Sequence, residues 1–231
     1  MFGRKRVRRA AVLGAAGLGV CALLAACSPV KLGAAAIVGN QRITTSALDN
    51  QVANLQASAA PYAGKVQLTS AQMPTAVLSW LVRFSIMDQL AASAGISVTQ
   101  AQVQAGVANI NSQAASAAPQ AGYTSGEEVL VGAGIAPQML TSVGRYQADE
   151  IAYVEKVNGG KLPSTTAENN TVNAALTKAQ CSAAKSLNIQ ISPQFGRMDY
   201  SQYAVVATSN TLSQPEGVPS PASTTGLAPA C

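Results

Sequence analysis

The sequence predicts a mainly α-helical domain with a small β element, and three observations point there. Alanine supplies much of a 48% hydrophobic count while aromatic residues reach only 4%. Ala has the best helix propensity and little side chain to bury, so such a chain favours helix around a thin core. Successive stretches between residues 45 and 186 repeat apolar residues at helical spacing. Strand signals are few, chiefly a hairpin at residues 35–43 and a late strand at 188–192 that can return to it.

The chain opens on Arg4, Lys5, Arg6, Arg8 and Arg9, followed by 17 residues from Ala10 to Ala26 without a charge. At 1.5 Å per residue that run is short for a bilayer span, and its basic flank suits an export signal. It ends in Leu24-Ala25-Ala26-Cys27, which resembles the lipobox of bacterial lipoproteins. The resemblance implies cleavage between Ala26 and Cys27, a diacylglyceryl group on the Cys27 sulfur, and a processed chain starting at Cys27. The plainer alternative is an ordinary signal peptide with a chance cysteine beside its cleavage site. Arg8-Arg9 also allows twin-arginine export, but the rest of that motif is missing. Five of the 15 basic residues fall at positions 4–9, so ten remain against 10 acidic ones. Beyond the signal the net charge is therefore near zero, no basic stripe survives, and nucleic acid is not an expected partner.

Residues 27–33 read as a tether. Ala35 to Ile43 then carries a hairpin signature, a short apolar strand turned at Gly39-Asn40. Thr44, Thr45 or Ser46 can cap a helix with Leu48, Val52 and Leu55 on one face. A loop over 62–70 precedes the strongest helix, residues 72–94, with Pro74 in its first turn and Gly95 just past its end. Val77, Trp80, Leu81, Phe84, Met87 and Ala91 form one wide face, and Leu78, Val82, Ile86 and Leu90 make much of the rest apolar. A helix apolar nearly all round is either central in its domain or offers one side to a partner. Thr99 and Gln102 stand at capping-box spacing before a helix with Val103, Val107, Ile110 and Ala114 on one face. After a loop over 115–126, Ser125 and Glu128 offer a second box for a short helix stopped at Gly132 or Gly134. Pro137 opens a longer helix to about residue 157, with Leu140, Val143, Ile151 and Val154 facing inward and Tyr146 and Tyr153 nearby.

Residues of about 158–166 link this part to a last helix over roughly 167–186, whose face is Val172, Ala175, Leu176, Ala179, Ala183 and Leu187. Cys181 is nine residues from Val172, so it is expected to point to solvent. Ile189 and Ile191 alternate with polar residues as a half-buried strand stopped by Pro193, and a final short strand fits 203–207. The domain so defined covers 34–207. From 208 to 231 Ser, Thr, Pro, Gly and Ala dominate around the single charge of Glu216, a composition of disorder.

A hairpin, a set of helices, and a strand that closes back on the hairpin resemble the N-terminal domain of SurA-type extracytoplasmic chaperones. The residues that carry the resemblance are Ala36 to Ile43 with Ser46, Leu48 and Asp49, then Val77 to Val82, then Ala94 to Thr99. Ile191 to Asp199 is similar to an Asn-Pro-Arg-Phe-Gly ending of actinobacterial members, with Ser192 and Gln194 in place of the Asn and Arg. Parvulin prolyl-isomerase domains often interrupt relatives of this type. Here the junction at 158–170 is too short for one, and parvulin sites typically include histidine, which this chain lacks. The resemblance therefore implies chaperone-like holding of polypeptide without prolyl isomerase activity.

The lack of histidine also excludes Ser-His-Asp and Cys-His catalysis and His-based zinc sites. Ser182-Ala183-Ala184-Lys185 matches a Ser-x-x-Lys pattern, but the companion motifs are absent and chance accounts for it. Glu127-Glu128 and Asp149-Glu150 are adjacent on helices, point apart, and read as solvated faces. No catalytic residue, metal site or cofactor is expected. Cys21 leaves with the signal and Cys27 takes lipid, so Cys181 and Cys231 remain as a candidate disulfide, with a free thiol or an intermolecular bridge as alternatives.

The expected protein is thus lipid-anchored on the outer face of the cell membrane. Its expected partners are unfolded or extracytoplasmic polypeptides. The candidate polypeptide-binding surface is Met73, Trp80, Phe84, Met87, Met139 and Tyr146, where Met side chains adapt to varied sequences. Each of the six is more often a core residue than a contact. A structural lipoprotein binding one envelope partner is the alternative, and the oligomeric state is open.

Overall fold

The computed structural model describes residues 32–208 and 231. The expected export signal, with Ala26 and Cys27, and residues 209–230 of the expected tail lie outside them. Gly39 and Asn40 turn the chain between β1 (Ala34–Val38) and β2 (Gln41–Thr44). Gly39 has φ +56°, a left-handed backbone that suits a residue without Cβ. Gln89 and Leu187 also press so close that a Cβ there would collide. On the other side of β1, β3 (Ile189–Ile191) pairs antiparallel with Ala36 opposite Ile191, giving the order β2-β1-β3. The expected closure of the late strand on the hairpin is what forms. β1 is central and reads as a continuous apolar run, as a strand with covered flanks should.

Thr44 caps α1 (Thr45–Ala59), its Oγ1 accepting from the Ala47 N–H at 3.1 Å. α2 (Met73–Ser93) touches α1, α5, α6, β1 and β5. That position explains its apolar circumference. Thr99 and Gln102 complete the capping box that opens α3 (Gln100–Ala117), which runs into the stretch expected as loop. α4 (Gly126–Gly132) follows, and a 3-10 turn at Pro137–Met139 leads into α5 (Leu140–Val157). α6 (Thr166–Ser186) opens on a further capping box, Thr165 with Glu168, whose Ser/Thr-x-x-Glu signal was present in the sequence. β4 (Arg197–Asp199) and β5 (Ala204–Val206) make a second hairpin against α2. β5 lies in the expected segment; β4 is an addition.

Two orientations differ from expectation. Ile151 is 39% exposed, because the buried stripe of α5 runs through Val143, Tyr146 and Val154 and Ile151 falls at its edge. Cys181 is buried with Gln180 and Ala184. The buried face of α6 rotates along its length from Val172 to Gln180, Cys181 and Ala184, so extending the Val172 face to Cys181 fails.

A thin, Ala-rich core obliges helices to approach closely. α3 and α5 do so through Gly106 and Gly144, where a Cβ on Gly106 would meet the Gly144 backbone and one on Gly144 would lie 2.7 Å from Val103 O. Gly144→Ala is expected to force the pair apart and lower stability by about 1–3 kcal/mol, although Ala is the better helix former. Urea denaturation followed by circular dichroism measures it; an unchanged or higher midpoint would show that the backbone contact is not limiting.

Candidate functional site

The six apolar candidates converge, but in the interior. Trp80 and Phe84 on α2 and Tyr146 on α5 form a triangle of rings with centroids 5.8, 5.9 and 6.5 Å apart. Trp80 Nε1 donates to Ala133 O at 2.9 Å. Met73, Trp80, Met87, Met139 and Tyr146 are buried, and Phe84 is half-buried. Five of the six are therefore core rather than open surface. The cause is the place of α2, whose apolar faces are satisfied by α1, α5, α6 and β5.

A polar cluster sits beside the rings. Arg83, the single cation of α2, is buried with its guanidinium 5.1 Å from the Trp80 ring and 5.9 Å from that of Tyr203. Its Nε donates to Tyr203 O at 2.9 Å. Burial lowers the pKa of Arg83, opposed by the nearby Tyr146, Tyr203 and Glu150. Gln180 Nε2 donates to Glu150 Oε1 at 2.7 Å and lies 3.2 Å from the Tyr146 hydroxyl, joining α6 to α5. Burial raises the pKa of Glu150 and raises that of Tyr146 well above its usual value. The cluster is a set of polar groups in an apolar surround, and its cation faces aromatic rings as cation–π contact requires. The one sequence signal for it was a lone Arg in an otherwise apolar helix.

The acidic pairs are not solvated faces. Glu127 is exposed, but Glu128 is fully buried and its Oε2 accepts from Thr124 N at 2.7 Å and Thr124 Oγ1 at 2.8 Å. Those bonds, the backbone one foremost, hold its pKa below the ordinary value. Ser125 Oγ accepts from Glu128 N, so the expected box is half realised and the carboxylate caps one residue earlier. Asp149 is buried where α5 meets α2, with Arg145 Nε 3.9 Å from Asp149 and 3.4 Å from Asp88. Burial lifts Asp149 to about 6, moderated by Arg145 and reinforced by Asp88. Adjacent residues on a helix can face different neighbouring helices, and interhelical contacts bury both Asp149 and part of Glu150.

Cys181 and Cys231 are disulfide-bonded, with Cα atoms 5.6 Å apart. Among the described residues no group of three or more His, Cys, Asp or Glu could hold a metal ion, and no helix is long and apolar enough to cross a membrane. A groove of about 250 Å³ opens between α3, α4 and the start of α5, lined by Leu130, Ile135, Pro137 and Leu140 with Asn111 and Glu127. Among the described residues Leu32, Ile151, Val157 and Leu162 are the exposed large apolar ones.

A central apolar helix wrapped by other helices and closed by a small sheet defines a mainly α domain with minor antiparallel strands. Residues 10–117 match the family model of the SurA-like N-terminal domain, a stretch that ends at the last residue of α3. The matched family is of a chaperone-type, non-catalytic kind. No curated protein and no solved structure matches the chain.

The raised Asp149 pKa has a sign that can be tested. Folded Asp149 keeps its proton to about pH 6, whereas the unfolded group releases it near 3.8. The folded state thus binds the proton more tightly, and stability falls as pH rises from about 4 to 6. The loss is on the order of 3 kcal/mol. Asp88 and Glu150, both raised by burial, add in the same direction. Chemical denaturation of wild type and Asp149→Asn at pH 4.5 and 7 should show a pH slope that the variant flattens; equal slopes in the two proteins would remove Asp149 as its source.

Proposed function

We propose that the protein is a lipoprotein, anchored through Cys27 on the outer face of the cell membrane, that holds unfolded or extended polypeptide without ATP, cofactor or prolyl isomerase activity. The observation that carries this is the match of residues 10–117 to the SurA-like N-terminal domain, a chaperone-type family. Further support comes from apolar groups at the surface: the exposed Pro137 and half-buried Leu140 at the mouth of the groove, and the exposed Ile151, Val157 and Leu162. Exposed apolar surface is what binding of many sequences requires. With five of the six Met and aromatic candidates in the core, these open groups replace them as the contact surface.

The near balance of charge beyond the signal, ten basic against ten acidic residues, suits clients of either sign. Anchoring follows from lipid arithmetic, since one acyl chain binds marginally and two or more bind stably at about 0.8 kcal/mol per buried CH₂. A structural or assembly role with one envelope partner is the second possibility, favoured if binding proves confined to one protein.

Two measurements follow. The chain from residue 28 onward should suppress aggregation of two unrelated unfolded proteins at near-stoichiometric ratios, with or without ATP. Failure on both shifts the weight to a dedicated partner. Separately, Cys27→Ala should move the protein from the membrane to the soluble fraction or leave it unprocessed; identical fractionation of the two forms would refute the lipid anchor.

A further inference from the structure

The β4–β5 hairpin lies as a strap against α2, and its own stability is poor. Its strands are three residues each, and an isolated two-stranded hairpin is marginal. Tyr203, between the strands, holds φ +50°, a conformation sparsely populated by residues with a Cβ. The Tyr203 hydroxyl is buried and has no hydrogen-bond partner among the described residues. Against this stand the burial of Tyr203 and Val205, the Val205 N–H donating to Ser79 Oγ at 3.2 Å, and Arg83 Nε donating to Tyr203 O. Few contacts hold the strap down, so a tie from outside it adds directly to what keeps it there.

The cystine supplies that tie. Cys231, bonded to Cys181 of α6, donates its backbone N–H to Ser201 O at 3.0 Å. Ser201 stands in the turn organised by Asp199, whose Oδ1 accepts from the Ser201 N–H at 2.9 Å. The turn of the strap is thereby fastened to α6 through the cystine. Cys181 is buried, but Cys231 is exposed, so one sulfur-bearing residue is open to attack.

We propose that the Cys181–Cys231 cystine is a redox latch whose reduction frees the β4–β5 strap and uncovers the Trp80–Arg83 stretch of α2. The reductant is a dithiol. Its thiolate attacks Cys231 Sγ, the bond to Cys181 breaks, and Cys181 leaves as a thiolate that takes a proton. The second thiol then resolves the mixed disulfide, leaving a Cys231 thiol and an oxidised, disulfide-bonded reductant. Two electrons pass to the cystine, and no metal or cofactor enters.

The latch is tested on the full chain without any client, so its outcome is independent of polypeptide binding. Hydrogen exchange is followed before and after treatment with dithiothreitol, and in a Cys181→Ala/Cys231→Ala variant without reductant. Amides of residues 197–206 are expected to exchange about tenfold faster or more in both opened forms, while α3 and α5 keep their protection. Acrylamide quenching of Trp80, the single tryptophan of the chain, should rise in parallel. Unchanged exchange at 197–206 overturns the proposal. So does an even loss of protection across α2, α3 and α5, which would make the cystine a staple of the whole fold.

Discussion

The structure depends on the apolar circumference of α2. A surface helix needs one covered stripe, but Val77, Leu78, Trp80, Val82, Ile86 and Met87 are all buried and point to several sides of their helix. Such a helix is stable in water only if surrounded, and the remaining elements are arranged to that end. α1 and the first hairpin cover part of it, α5 and α6 another part, and β5 a third. Gln89 shows how the hairpin is held there, its Nε2 donating to Val38 O at 2.9 Å and binding β1 to the late turns of α2. Because α2 is closed off, its rings and methionines serve cohesion in this conformation.

A central helix with a charge in it has a second requirement. Arg83 cannot reach bulk water easily, and a buried guanidinium is costly unless its donors and its charge find partners. It lies between the rings of Trp80 and Tyr203, bonds the Tyr203 carbonyl, and feels the carboxylate of Glu150. These partners come from three separate parts of the chain. The cation therefore links segments that hydrophobic burial alone would leave free to slide, which fits the idea that buried polar groups specify arrangement more than they add stability.

Local chemistry was legible in the sequence wherever one or two residues decide the backbone. Gly39-Asn40 announces a hairpin turn, and Thr44 and Thr99 announce helix starts, because each effect acts within four residues. The pairing of Ile189–Ile191 with β1 was also legible, since an early hairpin needs a partner and few strands were on offer. Facing directions were harder. Cys181, Ile151, Glu128 and Asp149 all turned against expectation because burial is set by neighbouring helices, whose positions no single-helix periodicity encodes. β4 was not legible because three residues, Arg197 to Asp199, are too few to carry an alternation distinct from loop. As for the candidate site, the sequence located the correct cluster but not whether it was covered; coverage is a tertiary property.

The sheet has a consequence for the order in which the chain can mature. β1 lies between β2, three residues downstream, and β3, whose Ile191 pairs with Ala36 across nearly the whole domain. A chain emerging amino end first forms β1–β2 at once, but one edge of β1 stays bare until α6 has passed and β3 arrives. Closure over that span carries the loop entropy of a long-range contact and is slow compared with helix formation. Through the intervening time the helices are available while the seam is not, so maturation ends with a zip at the sheet rather than beginning there. A truncation that removes β3 would leave an open edge of exposed N–H and C=O groups, the feature by which unfinished chains recruit one another.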